Sequence, residues 1–296
     1  MNKILYRILI GFFALVFVIS GAVIVRYLVQ SYQYKQQLEY LQGLHGQVTR
    51  PSVSLLRPTT GPASTGNGTV ASTGPAGSTP VDPIQTQPTW PQTRPVDPDA
   101  TTSSGMLVEM AELYKINKDV VGYIYIEGTN INNPVLQRKS SKDYYLYKDI
   151  FGNKDSHGCI YVREACNVFE PSDNVTIYGH NMVDNTMFAN IHKYKTRSFF
   201  DDHPLIYFDT LYERHVYQVV CLFRTSGEYG VGFPYHQYTD FADESEFKEF
   251  IRGIRKLAIH DSGIAVSYGD KFICLSTCED WPIKNGRLVL LAVRIA

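Results

Sequence analysis

The chain has 296 residues, 44% of them hydrophobic and 19% charged, with a formal net charge of -1. Those figures allow one or two domains with a sizeable core, and so even a balance gives no hint of a nucleic-acid partner and no basis for electrostatic steering. Five cysteines, an odd number, leave at least one thiol unpaired if the others pair within the chain.

Ile8 to Val25 is an apolar run without a charge, bracketed by Lys3 and Arg7 before it and Arg26 after it. A membrane-spanning helix needs about 20 apolar residues, whereas the core of a signal peptide takes roughly 7–15. Residues 1–30 therefore read as a short tail and an uncleaved anchor. Loop charge orients this anchor weakly, because Arg26 and Lys35 partly offset Lys3 and Arg7. Residues 31–105 follow as a juxtamembrane segment and a linker. Tyr27 to Leu44, polar and rich in Gln and Tyr, can continue the helix beyond the membrane. From Pro51 to Gly105 the composition turns to Pro, Gly, Ser and Thr, with Trp90 the sole aromatic residue. Such a segment cannot bury enough apolar surface to offset its ordering entropy, and it reads as a disordered or partly extended spacer. It is either a tether that gives a domain reach or a linker of unselected length, and composition does not separate the two.

Residues 106–296 make the third unit. Met106, Leu107, Met110 and Leu113 recur at helical spacing, which predicts an amphipathic helix over Met106 to Asn117. Short strands are then predicted at Val121 to Ile126, Ile131 to Leu136, Gly158 to Val162, Asn174 to Tyr178, Leu205 to Asp209, His215 to Phe223, Lys271 to Thr277 and Arg287 to Ile295. Many short strands separated by polar turns point to a mostly β fold, a closed or nearly closed barrel. Between the last strands, Phe247, Phe250, Ile251, Ile254 and Leu257 mark one face of a helix over Asp243 to Ala258.

The chemistry gathers at the end of the run Lys271 to Cys278, which Pro282 and Asn285-Gly286 bring to a stop. Cys278 sits where a strand opens into a loop, and a hairpin to Arg287 places a permanent cation beside the thiol. The thiolate is the nucleophilic form, and a neighbouring Arg or imidazolium lowers the free-Cys pKa from about 8.5. A third member is His180, where the β-rich run Val175 to Tyr178 breaks at Gly179; nucleophile and base need only meet in the fold. Taken singly, Cys278 reads as a core thiol and Arg287 as a strand-end charge. Cys274 and Cys278 lie about 13 Å apart along a strand, too far for a disulfide or a shared metal. Cys159, Cys166 and Cys221 read as small buried apolar residues. His45, His157, His192, His203, His215, His236 and His260 fit surface or packing roles, and Glu279 and Asp280 a solvated loop.

Leu275-Ser276-Thr277-Cys278, Arg287 and Tyr178-Gly179-His180-Asn181-Met182 resemble the active-site motifs of class B sortases. Val121-Gly122-Tyr123-Ile124, Asp143-Tyr144-Tyr145-Leu146, Asp184 to Phe188, and Tyr194 through Phe200 are similar to further stretches of that class, in the family's order from about Met106 onward. One departure is Cys274, where the family usually has Thr. The resemblance implies an eight-stranded sortase-like β-barrel with peripheral helices, a long one before the last two strands, and an extracytoplasmic catalytic domain on a single-pass anchor in the cell membrane. It implies a cysteine transpeptidase in which Cys278 attacks a Thr carbonyl in the sorting signal of an exported protein. His180 then protonates the leaving amine, and Arg287 steadies the oxyanion. Ser276, Thr277 and Glu279 become candidates for lining the substrate groove. The acceptor implied is an amine of a peptidoglycan precursor or cross-bridge, and no cofactor or metal is called for. A pilin polymerase with a Lys acceptor, a cysteine protease and a catalytically silent wall-binding module are the competing readings. The loop from Thr225 to Glu244 holds no readable code for the sorting signal.

Overall fold

The apolar N-terminal run and the polar stretch after it form one helix. In the structure, a computed structural model that describes residues 3–48, 50, 53–58, 95–96, 100–228 and 230–296, α1 spans Lys3–His45. Its first half is long and apolar enough to cross a membrane, and side chains such as Phe17 and Val18 stand exposed. Farther on, the same helix packs against the domain. Ser31, Tyr34, Leu41 and His45 are buried there, with Leu38 partly so. These five positions form a helical stripe that its polar and aromatic members disguise in the sequence. Tyr34 stacks on His157 with ring centroids 4.3 Å apart, and His45 on Tyr123 at 3.6 Å.

A short parallel pair, β1 (Gln47–Val48) and β2 (Pro95–Val96), follows. The spacer expected over Pro51 to Gly105, including Trp90, lies largely outside the described residues. Of its described parts, the Leu56 backbone exchanges hydrogen bonds of 2.6 and 3.0 Å with the Gln218 amide, Pro58 bridges Ile264, and Thr101 bridges Leu107.

The domain itself runs α2 (Val108–Ile116), β3 (Val120–Tyr125), β4 (Asn132–Leu136), β5 (Ile160–Val162), β6 (Asn174–Tyr178), α3 (Arg197–Asp202), β7 (Leu205–Thr210), β8 (Val216–Ser226), α4 (Glu244–Lys256), β9 (Ala258–Asp261), β10 (Phe272–Cys278) and β11 (Gly286–Arg294). The order β11-β10-β6-β5-β4-β3-β7-β8 is closed by antiparallel pairing of β8 with β11, giving an eight-stranded barrel. All eight expected strands are present, with slightly moved ends. A ninth, β9, pairs with β8 and was not expected; the chain leaves α4 two residues earlier than anticipated and turns to pair Ala258 with Phe223. Leu257, expected on the apolar face of the helix, is instead its C-terminal cap and 37% exposed.

Alternation along β10 and β11 divides the core in two. Ile273, Leu275, Leu288, Leu290 and Ala292 point into the barrel, while Phe272, Cys274, Val289, Leu291 and Val293 point outward under α4. The Asp243 side chain caps α4 by accepting from the Glu246 N–H at 2.9 Å, and Phe247, Phe250 and Ile254 form its buried face. Phe250 is fully buried against Phe241 and Phe272. Phe250→Ala is expected to cost about 3–5 kcal/mol in a denaturant melt, because the cavity cannot collapse between a helix and a closed sheet. A loss below about 1 kcal/mol would show that α4 is not held there.

Candidate active site

Strand register brings the three candidate side chains to one level. β10 pairs antiparallel with β11, and the last rung of that ladder is Cys278 opposite Arg287. Directly opposed residues of an antiparallel pair project from the same face, so both side chains leave the sheet on one side. On its other edge β10 pairs parallel with β6, and the last rung is Ser276 beside Tyr178. One further bond, from Gly179 N–H to the Ser276 carbonyl at 3.2 Å, carries the alignment on. Two residues past that rung the neighbouring chains deliver His180 and Cys278.

All three border one cleft of about 250 Å³, together with Ser276, Thr277 and Tyr235. Charged side chains, Lys142, Arg163 and Glu164, line it as well. Cys278 is half-buried, whereas Cys159, Cys166, Cys221 and Cys274 are buried free thiols. Burial pushes all four of those pKa values up, which keeps them neutral.

His180 is held from several sides. Its Nε2 lies 2.7 Å from the Leu146 carbonyl, so Nε2 carries the proton of the neutral ring and Nδ1 is the nitrogen left to exchange one. The Tyr147 ring stands 5.3 Å away, and Phe188 N–H donates to the His180 carbonyl at 2.9 Å. A Cβ on Gly179 would come within 2.7 Å of the Phe188 ring, which explains a glycine at the strand's end. Burial lowers the His180 pKa, the Leu146 carbonyl offsets part of that, and the charge of His157 lowers it again; the net position is below the usual imidazole value.

Arg287 donates through Nη1 to the carbonyls of Asn285 and Gly286, at 3.3 and 3.0 Å. Gly227 makes room for it: a Cβ there would approach Cζ of Arg287 to 2.9 Å and the Asn285 carbonyl to 2.8 Å.

Ser276 and Thr277 reach the cleft, each in its own way. Ser276 Oγ shares a hydrogen bond of 2.7 Å with the Tyr235 hydroxyl. The Thr277 hydroxyl is buried and has no hydrogen-bond partner among the described residues. Glu279 is not brought to the cleft, nor is it solvated as a loop residue. It is 4% exposed, pairs with Lys195, and binds Arg224 through two bonds of 2.5 and 3.2 Å. Burial opposes its charge, but Arg224 and Lys195 outweigh it and hold the carboxyl below its ordinary range. His192 Nε2 stands 3.3 Å from the Cys278 carbonyl, so the backbone behind the thiol is tied to the same cluster.

His157, expected at the surface or in simple packing, is fully buried between two carboxylates, 2.9 Å from Asp155 and 3.1 Å from Asp184. Burial disfavours its charge, yet hydrogen bonds to both acids raise its pKa. Tyr147, Gly227 and Tyr235 had no signal in the sequence, and Leu146 only as part of the run Asp143 to Leu146, since each matters through what the fold sets beside it. A cluster of His45, Glu109 and Asp209 has ligand-like spacing. Arg50 and Arg214 already pair with its two acids, so a cation there would add uncompensated buried charge.

Residues 124–295 match the family model of the sortase domain. Sortase B of Listeria monocytogenes is 32% identical over 184 residues, covering 62% of this chain and 72% of that protein. Among solved structures, a Staphylococcus aureus sortase B–substrate complex is similar with a TM-score of 0.58 and 31% identity, over 64% of this chain and 86% of that one. A sortase B complexed with triglycine is similar with a TM-score of 0.57 and 31% identity, over 63% and 85% of the two chains.

Proposed function

Since the chain belongs to the sortase family, on its class B branch, and is a cysteine transpeptidase, we propose that Cys278 is its nucleophile, His180 its general acid and base, and Arg287 its oxyanion partner. The convergence of β6, β10 and β11 on one cleft carries this reading. The Cys278 thiolate attacks the carbonyl of a Thr in a C-terminal sorting signal. The C–S bond forms, and as the C–N bond breaks the leaving amine takes a proton from the His180 imidazolium. Arg287 and backbone N–H groups near Cys278 offset the negative charge on the carbonyl oxygen of the tetrahedral intermediate. An acceptor amine then attacks the thioester, gives its proton to His180 and restores the thiolate.

A relative solved with its substrate and another with triglycine support a peptide donor and an amine acceptor for this chain too. A cell-wall amine is the acceptor proposed. The exposed apolar half of α1 supports a single-pass anchor, with the catalytic domain on the extracytoplasmic side. Ser276, whose hydroxyl is fixed by Tyr235, and the rim of Thr277 take the substrate backbone. Glu279 serves as a brace behind the thiol, not as a substrate contact.

Incubation of the full chain with a library of sorting peptides, with and without amine acceptors, tests this. Release of the C-terminal fragment together with an amide product is expected, and a thioester adduct on Cys278 should accumulate when the acceptor is withheld. Hydrolysis alone at saturating amine would identify a cysteine protease, transfer only to protein Lys a pilin polymerase, and no adduct at all a silent binding module.

A further inference from the structure

α1 meets the domain almost as soon as its apolar run ends. From Val25 to Ser31 is six residues, about 9 Å along a helix rising roughly 1.5 Å per residue. At that point Ser31 Oγ donates to the Asp184 carboxylate, and the charge of Asp184 acts on Tyr27, one turn nearer the apolar run. Asp184 is itself fixed. It accepts from the Thr186 hydroxyl at 2.6 Å and pairs with His157, which Tyr34 of α1 covers. The loop after His180 is thereby pinned to the first turns of α1 outside the apolar run. A headgroup layer is about 5–8 Å deep on each side of a core roughly 30 Å thick, so this loop sits at headgroup level or just above it. Val183, next to Asp184, is 88% exposed.

The path of the chain gives an independent reason. α1 runs unbroken from the apolar segment into its contacts on the barrel, and the spacer begins only after that. Arg50 pairs with Asp209 and Leu56 with Gln218 on one side of the spacer, and Thr101 with Leu107 on the other. Both of its ends rest on the domain. It therefore does not lie between membrane and barrel, and of the two readings left open by composition this favours a linker over a tether that gives the domain reach.

We propose that α1 holds the catalytic domain directly on the bilayer surface, with the loop carrying Val183 as its lipid contact and the spacer standing outside the load path. This rests on α1 being a membrane span, as in the proposed function. An exposed valine at the interface adds apolar burial that water cannot give it. Donor and acceptor are then met at the membrane surface, on the His180 side of the cleft, not at a distance set by spacer length.

The test uses the full chain with Cys278→Ala, whose remaining thiols are buried, reconstituted in phospholipid vesicles that contain headgroup-quencher lipids. A fluorophore is attached at Val183→Cys and, for comparison, at Tyr268→Cys. Tyr268 is exposed and precedes Phe272, which pairs with Asn174 at the opposite end of β6. Quenching several-fold stronger at 183 than at 268, and unchanged when a flexible insert lengthens the chain between residues 59 and 94, is the expected result. Equal quenching at the two positions, or quenching at 183 that falls with the insert, would overturn the inference. Alkaline carbonate separates the levels: full extraction defeats the span and the inference together, whereas retention with an unquenched 183 defeats the inference alone.

Discussion

Cys278→Ala brings cleavage and transfer to background, a loss on the order of 10⁶ in kcat, the scale reached when a nucleophile that works in concert with its base is removed. The fold should not notice. Cys278 lies half-buried at the end of β10, and its ladder to Arg287 is made by backbone groups that Ala retains. Stability is therefore expected to change by no more than about 0.5 kcal/mol. The same variant reports on reactivity. Cys159, Cys166, Cys221 and Cys274 are buried and kept neutral, so a thiol reagent should modify one site in the native protein and none in the variant. Full turnover by Cys278→Ala, or one reactive thiol persisting in it, would remove Cys278 from the mechanism.

What could be read from the sequence follows from how locally each feature is encoded. β10 and β11 announce themselves because apolar and β-branched residues fill both faces, one turned into the barrel and one covered by α4, and β6 because Val175 and Ile177 alternate into the barrel. Their shared level is a matter of register, yet it was legible, because Gly179-His180 and Thr277-Cys278 each end a run. Glu279 was misread for the opposite reason. Its identity as a buried ion depends on Lys195 and Arg224, which come from distant elements, and nothing near Glu279 signals them. His157 hides in the same way, since one of its two carboxylates is local and the other arrives on the loop after His180. The docking of α1 went unseen because Ser31, Tyr34 and His45 make a contact face that no hydrophobic pattern reveals. β9 is short and half-buried throughout, and it exists only because β8 runs on to offer it an edge.

Arg287→Ala is expected to lower kcat/KM by about 10²–10³, the usual consequence of removing one oxyanion donor. Arg287→Lys should recover little of it. In the structure Nη1 is engaged by the carbonyls of its own turn, which anchors the guanidinium and leaves Nε and Nη2 to address a ligand. A single ammonium cannot both anchor and donate in that geometry. Gly227→Ala should produce a milder form of the same defect, because its new methyl would displace the guanidinium while leaving every charge in place. The pH profile separates this role from tuning of the proton donor. His180 must be protonated when the amine leaves, so its limb of the profile falls as pH rises, and burial places that limb below the ordinary imidazole value. If Arg287 acts on the oxygen and not on the proton, its variants lose height in the profile and keep its limbs. A limb displaced by about one pH unit in Arg287→Ala would instead mean that the guanidinium acts through the ionisation of Cys278 or His180. The oxyanion assignment would then fail, even though the loss in rate were as large as expected.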